Sequence, residues 1–307
     1  MRLINLFKFQ GAILLVFLLV STISFGKKSK VDFTKEVTYL KELRKKMDGA
    51  DIMTAFTLNN EFKDSLRSLL NKPESISYNF DSLSSISVIS GPKNEFRIYT
   101  WLVEESSGVY SYYGFTQYLV NHRTHKIKIC ELISNENSIG NTFEKLDTAN
   151  WMGAVYYKVV AAPKRKEDTY LLLGWDGNGT VTKKKLIEPI RFNRKGIPTF
   201  GDNIFKSDND DFATPRGKKN YRLVMEYSAK VSITLRYDSN LKMVVYDHLS
   251  PSHSRLKGVR AAYVPDFSYD GFQYQNGKWI HLVDVDARNG KTEKPTIFKP
   301  KDYEPKN

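Results

Sequence analysis

The chain has 307 residues, of which 41% are apolar and 26% are charged, and this balance predicts a globular protein and excludes a disordered one. Its formal net charge of +13 favours anionic partners, although the same charge can serve solubility alone. Cys130 is the single cysteine, which excludes an intrachain disulfide, so stability has to come from a packed core.

The first 26 residues have the pattern of a secretory signal peptide. Arg2 and Lys8 form a basic start, residues 11–25 are uncharged and mainly apolar, and Ser24 and Gly26 place small residues at the cleavage point. We therefore expect an exported protein, periplasmic or secreted, with no membrane span after cleavage. Cleavage removes Arg2 and Lys8 and no acid, so the mature chain would carry a net charge of +11.

The alternative for this segment is an uncleaved helical anchor. No charge falls between residues 9 and 26, a span of 18 residues that is just long enough to cross a bilayer. In that case the protein would be held at the membrane by its N-terminus.

Residues 27–74 are predicted to be an N-terminal helical segment. Apolar side chains recur at helical spacing from Phe33 to Met47, with charges on the opposite face. A second helix is predicted from about Asn60 to Leu70, and Pro73 prevents much continuation. We expect the two helices to pack against one face or end of the structure that follows.

Residues 75–290 change to the alternating pattern of strands and are predicted to form one β domain, followed by a tail at residues 291–307. Short polar connections join the strands, and short connections select antiparallel neighbours. The predicted fold class is mainly β: a large antiparallel meander of roughly ten to twelve strands with a short N-terminal helical segment. It could be propeller-like, a barrel or a sandwich. The irregular stretch Asn135–Asn150 is the only internal boundary predicted.

The centre of this meander is Thr169–Phe205, which has the pattern strand, turn, strand, turn, strand. A turn rich in Gly and Asn at residues 176–179 joins its first two strands, because these residue types tolerate positive φ. Asn276-Gly277 gives the strongest hairpin pattern in the chain and suits a type I′ turn. The predicted pairs are Gln275 with Lys278 and Tyr274 with Trp279.

The predicted β domain contains the segments FRIYTW, YLLLGWDGN, KKLIEPIRF, KGIPTFG, LRYD with MVVYDHLSP, and VPDFSYDGFQYQNGKW. In these segments, which extend over most of Glu95–Trp279, the chain resembles uncharacterised exported proteins of Bacteroidetes-type bacteria. The resemblance implies a location in the cell envelope and a β-rich fold. It brings no activity and no catalytic residues.

Aromatic and basic side chains are interleaved in this domain, as on surfaces that bind glycans. Tyrosines crowd residues 110–118, and a lysine run at residues 183–185, expected to be solvated, lies beside the Gly-rich turn. The favoured hypothesis is a non-enzymatic binding module for an anionic glycan, an envelope polymer or an envelope protein, and an exported location disfavours nucleic acid. The candidate binding residues are Tyr112, Trp175, Asp176, Lys183, Lys184, Lys185 and Trp279.

Motifs for catalysis, cofactors and metals are weak in this sequence. The chain lacks G-x-S-x-G, Walker and Rossmann motifs, and His248 and His253 are expected in a loop without fixed partners. His122 and His125 occupy a predicted turn without a third metal ligand, and the acidic run at residues 208–211 lacks the glycine and glutamate of a calcium loop. No cofactor and no metal are therefore predicted.

The alternative function is an exported, glycosidase-like hydrolase, which would need two nearby carboxylates, one of them with a raised pKa. Two pairs of aspartates have suitable spacing, and the members of the first would share one face of a strand. The pairs are Asp284 with Asp286 and Asp266 with Asp270.

Overall fold

The computed structural model describes residues 31–135, 141–162, 169–207, 212 and 214–287. The chain divides into two compact units, Met1–Asp32 and Phe33–Asn307, and every helix and strand described belongs to the second. The predicted signal peptide or anchor, the acidic run at residues 208–211 and the predicted tail lie outside the described residues. Within the described ranges, no helix combines the length and the apolar character needed to cross a bilayer.

Two helices begin the fold. Helix α1 spans Thr34–Met47, within one residue of its predicted bounds, and α2 spans Ile52–Leu70, eight residues longer at its start than predicted. Asp51 caps α2, because its carboxylate accepts a hydrogen bond of 3.0 Å from the backbone N–H of Thr54. This capping aspartate directly before Ile52 is the sequence feature that the prediction missed.

Fourteen strands are formed by the residues that the structure describes, more than the predicted number, and they belong to three sheets. The first sheet contains β1 (Ser87–Ser90), β2 (Phe96–Ser106), β3 (Val109–Asn121) and β4 (Lys126–Ile133). The central sheet contains β5 (Val155–Ala161), β6 (Thr169–Asp176), β7 (Thr182–Phe192), β8 (Pro198–Phe200) and β10 (Leu223–Ser228). The third sheet contains β9 (Phe205–Lys206), β11 (Leu235–Asp238), β12 (Met243–Pro251), β13 (Tyr263–Gln275) and β14 (Lys278–Leu282).

Each sheet is built around an antiparallel meander, which confirms the predicted fold class. The strand orders are β1-β2-β3-β4, β10-β7-β6-β5 with β8 on β7, and β11-β12-β13-β14-β9. The pair of β14 and β9 is parallel, which the sequence did not predict. The third strand predicted for the central unit is therefore divided, because β8 stays with β7 and β9 joins the third sheet.

The predicted Asn-Gly hairpin is confirmed. Gln275 pairs with Lys278 and Tyr274 with Trp279, as a two-residue turn requires. The turn residues have φ angles of +48° at Asn276 and +85° at Gly277. Strand β13, which forms the first half of this hairpin, begins at Tyr263 and spans 13 residues.

The sheets stack in layers, with the central sheet between the other two and the helices on the outer side of the first sheet. This order explains the unbroken apolar run of β6. Leu172 packs in the core shared with the first sheet, whereas Leu171 and Leu173 pack in the core shared with the third. A strand buried on both faces has no polar side to alternate with its apolar side.

Candidate functional site

Three predicted binding residues, Tyr112, Asp176 and Lys184, lie together where the first sheet meets the central sheet. The Tyr112 hydroxyl donates a hydrogen bond of 2.8 Å to Asp176 Oδ1 and accepts one of 2.7 Å from the N–H of Gly177. Lys184 Nζ lies 3.9 Å from Asp176 Oδ2 and donates a hydrogen bond of 2.5 Å to Asn178 Oδ1. Burial raises the pKa of the Asp176 carboxyl. These polar groups satisfy one another, so the cluster fixes the turn after β6 and leaves little for a ligand.

The lysine run at residues 183–185 is not the solvated patch that the sequence predicted. Lys184 is only 7% exposed and both of its neighbours are half-buried, because β7 is an inner strand of the central sheet. Lys185 Nζ lies 4.7 Å from the ring centroid of Tyr157, and burial lowers the pKa of this lysine to about 8. A binding role for Lys183 and Lys185 stays a prediction.

The two predicted tryptophans differ in accessibility. Trp279 is 1% exposed and packs in the core between the central and third sheets, so it cannot stack on a ligand. The hairpin pattern predicted its partner Tyr274 but not which face of the strand would be covered. Trp175 is half-buried, and its ring centroid lies 6.0 Å from that of Tyr110.

Two histidines and two aspartates form a network on the third sheet. Oδ2 of Asp270, a residue only 2% exposed, lies 3.0 Å from His248 Nδ1 and 3.2 Å from His281 Nε2, while Asp266 Oδ2 lies 3.7 Å from His248 Nε2. His248 therefore lies in β12 and has fixed partners in β13, contrary to the loop that the sequence predicted. In the described ranges, no group of three or more His, Cys, Asp or Glu side chains is arranged to hold a metal.

The geometry does not support the carboxylate pairs of a glycosidase. Asp284 and Asp286 lie beyond the end of β14, and Asp284 has a φ of +51°, so they do not share a strand face as predicted. Burial alone would raise the pKa values of Asp266 and Asp270, but hydrogen bonds hold both below the ordinary value. In Asp270 those bonds come from His281 and His248. A glycosidase needs one carboxyl with a raised pKa, which neither aspartate provides.

Arg97, which the sequence did not single out, is a buried cation in β2. It is 9% exposed, and its Nη1 donates a hydrogen bond of 2.5 Å to the backbone carbonyl of Tyr78 and a longer one of 3.5 Å to that of Ser75. Its guanidinium carbon lies 5.7 Å from the ring centroid of Phe80. Nε is buried without a hydrogen-bond partner, and among the described residues no carboxylate lies within 4.0 Å of the guanidinium. Since arginine cannot be deprotonated in proteins, the charge persists with no described carboxylate in ion-pair range.

A cavity of about 390 Å³ borders Arg97. The chain between the helical segment and β1 forms most of its wall, and its volume is in the range of small-molecule sites. The exposed side chain of Asp81 is also part of the lining. Polar groups come from Ser77, Asn79, Ser84 and Ser90, and the apolar lining residues Phe80 and Leu83 are buried.

Arg44 shows which part of this geometry is distinctive. It is also buried, at 6% exposed, with its guanidinium carbon 5.8 Å from the ring centroid of Phe62, and its Nε has no partner either. Its Nη1 donates a hydrogen bond of 3.3 Å to the carbonyl of Leu102, but Arg44 does not border the cavity. A buried guanidinium held by carbonyls can thus be purely structural, and contact with an open cavity is what distinguishes Arg97.

The sequence gave little indication of this site. In FRIYTW, Arg97 occupies an alternate position of a strand and resembles an ordinary solvated residue. Only the path of residues 77–90 across the sheet turns it into the wall of a cavity. Compared with protein-family models, curated proteins and solved structures, the chain matches none.

Proposed function

We propose that the chain is a non-enzymatic, exported binding module that holds the anionic group of an acidic sugar in the Arg97 cavity. The observation that carries the proposal is the buried guanidinium at the cavity wall, which has an unpartnered Nε and, among the described residues, no carboxylate within ion-pair distance of 4.0 Å. A ligand carboxylate would supply the missing counterion, and guanidinium–carboxylate pairs are among the stronger hydrogen-bonded contacts in proteins.

The remainder of the lining suits a polyhydroxylated ligand. Serine hydroxyls and the Asn79 amide can hydrogen-bond sugar hydroxyls. The net charge of +11 expected for the mature chain raises the local concentration of an acidic polymer around the protein. A binding function is favoured over hydrolysis because the aspartates near His248 have lowered pKa values.

The test is calorimetric titration with D-glucuronate, with D-glucose as the uncharged analogue of similar shape. We expect binding of glucuronate and at least tenfold weaker binding of glucose, since only the acid pairs with Arg97. Sulfate provides a third probe. Sulfate that bound as tightly as glucuronate would show a plain anion site in which sugar hydroxyls take no part.

Arg97→Gln should abolish binding, and Arg44→Gln is the matched control because it removes a guanidinium that is equally buried but lies outside the cavity. Ser84→Trp should also block the cavity, while it leaves the bonds of Arg97 to the backbone intact. Asp81→Asn should strengthen binding by about twofold to fivefold, because it removes a like charge near the bound anion. Equal loss in both arginine variants, or full binding by Ser84→Trp, would contradict the proposal.

A further inference from the structure

Phe267 has the most unusual placement of any apolar side chain in the described ranges. It is 97% exposed, and its φ of +71° lies in the left-handed region, which is a genuine outlier for a bulky residue. Neither fact stabilises the fold, because the ring buries no surface and the backbone is strained. Strain of this kind persists where the surroundings impose it and often marks a functional position.

The surroundings that impose this conformation are polar and well defined. Asp266 Oδ1 accepts hydrogen bonds from the N–H of Ser268 at 3.1 Å and from its hydroxyl at 2.7 Å, which closes a turn around Phe267. Asp266 Oδ2 accepts a bond of 2.8 Å from Ser250 Oγ and faces His248 Nε2 at 3.7 Å. The ring is therefore presented to solvent by a bulge that is tied to the neighbouring strand β12.

The same hairpin ends in a basic loop. Residues 252–260, between β12 and β13, are all exposed, and they contain Arg255, Lys257 and Arg260 but no acid. Leu256 and Val259 in this loop are 37% and 49% exposed. The loop folds back on β13, since the N–H of Gly258 donates a hydrogen bond of 3.1 Å to the hydroxyl of Tyr263.

From Tyr263 to Phe267 the strand advances four residues, or about 13 Å, so the ring and the basic loop can touch one planar surface together. We propose that this end of the β12–β13 hairpin docks on an anionic lipid bilayer, with Phe267 entering the interface and the three cations contacting the headgroups. The chemistry is that of peripheral membrane anchors, which combine a few exposed apolar side chains with basic residues.

Two observations favour a lipid surface over an acidic protein. A single protruding ring on a narrow bulge matches a soft apolar layer, whereas a protein partner would need a preformed pocket for it. The three cations also form a cluster without any acid in residues 252–260, which suits a continuous anionic surface of headgroups. On the other side of β13, the exposed Asp284 and Asp286 restrict the approach to the loop end of the hairpin.

The experiment is cosedimentation of the full chain with vesicles of phosphatidylcholine, with and without phosphatidylglycerol. We expect binding to the anionic vesicles only, weakened by salt because exposed charges are screened. Phe267→Ser should lower the partition coefficient by about tenfold. Neutralising Arg255 and Lys257 to Gln should weaken it by about fivefold for each charge.

Matched controls come from the first sheet. Val109→Ser removes another exposed apolar side chain, and Arg123→Gln with Lys126→Gln neutralises another exposed basic turn. Phe267→Gly distinguishes a loss of binding from a loss of folding. Because glycine adopts a positive φ freely, this variant should keep or raise the melting temperature but no longer bind the anionic vesicles. Absence of binding to anionic vesicles would overturn the proposal, as would equal losses in the control variants. Neither outcome depends on the Arg97 cavity.

Discussion

The face of the central sheet toward the first sheet contains a buried polar network, whereas the face toward the third sheet is packed almost entirely with apolar side chains. On the first face Glu188 and Arg222 form an ion pair of 2.6 Å with no exposed side-chain surface. The Tyr156 hydroxyl donates to Glu188 and accepts a bond of 2.9 Å from Trp151 Nε1. Arg222 also bonds the carbonyl of Glu144 at 2.9 Å, so this face fixes the segment before β5 as well.

Among the residues that the structure describes, the opposite face has no such network at its centre. Leu173, Ile187 and Leu223 meet Val244 and Phe272 across the interface. Its ionisable groups, such as Lys185 and the histidine–aspartate network, pack around this apolar centre rather than forming it. The comparison shows two ways to join sheets: directional bonds, which select one arrangement but are costly to break, and apolar volume, which tolerates adjustment.

The largest loss of stability is expected when the buried polar network between the first and central sheets is disrupted. Arg222→Met leaves Glu188 buried without its counterion and should lower the free energy of unfolding by about 3–5 kcal/mol. Urea denaturation of the wild-type and Arg222→Met proteins measures this difference in the free energy of unfolding. Adding Glu188→Met should recover much of the loss, because the pair is then replaced by apolar side chains. A double variant no more stable than the single one would show that the bonds of Arg222 to backbone carbonyls carry the effect.

Two adjacent leucines of β6 allow the cost of a cavity to be compared between the two faces of the central sheet. Leu172 and Leu173 are each 0% exposed but pack toward the first and third sheets respectively. Substitution of either by Ala should cost about 2–5 kcal/mol, with the larger loss at Leu172, because the polar network limits collapse around the cavity. Denaturation of both variants under one condition gives the difference. Equal losses would show that the two faces relax to the same extent.

A smaller effect is expected at the edge of the apolar face. Asp270→Asn removes a buried hydrogen-bonding carboxylate and should cost about 1–3 kcal/mol at neutral pH. The pKa of Asp270 is lowered in the fold, so its stabilisation exists above the unfolded value of 3.8 and is lost as pH falls through the folded value. The difference between the wild-type and variant proteins should therefore shrink below about pH 4. Asp284→Asn, which alters an exposed neighbour, should show little change at any pH.

The third sheet also depends on its tight hairpin. Gly277→Val should destabilise the protein by about 1 kcal/mol or more, because a β-branched residue is strained at a φ of +85°. Gly179→Val is the matched control: neither added Cβ would meet an atom within 4 Å, and only Gly277 has a positive φ. If thermal unfolding showed equal shifts in both variants, the backbone explanation would fail.

The smallest predicted change in the free energy of unfolding is an increase in stability. Lys185→Met should raise the free energy of unfolding by about 1 kcal/mol at neutral pH, because burial of the charged amine disfavours folding. Since the pKa of Lys185 falls from 10.5 to about 8, the unfolded state binds more protons between these values and wild-type stability rises with pH there. The advantage of the variant should accordingly fade above pH 8. An advantage that stays constant up to pH 10.5 would argue against a charged Lys185 as the cause.

Local patterns determined the elements of this protein. Period-2 alternation and short connections predicted antiparallel sheets, and Asn276-Gly277 predicted the hairpin register, because both depend on neighbours within a few residues. The candidate site was predicted only in fragments. Tyr112, Asp176 and Lys184 do meet, but as partners of one another.

Tertiary packing decided which side of each element would be covered. A strand pattern does not specify what lies on either face, so Lys184 was expected in solvent and Trp279 on a binding surface, whereas both are buried. Arg97 lines a cavity because residues 77–90 cross its sheet. Glu188 pairs with Arg222, which lies 34 residues away in the sequence. Such contacts depend on how three sheets stack, and that arrangement is set by the summed burial of many side chains distant in sequence.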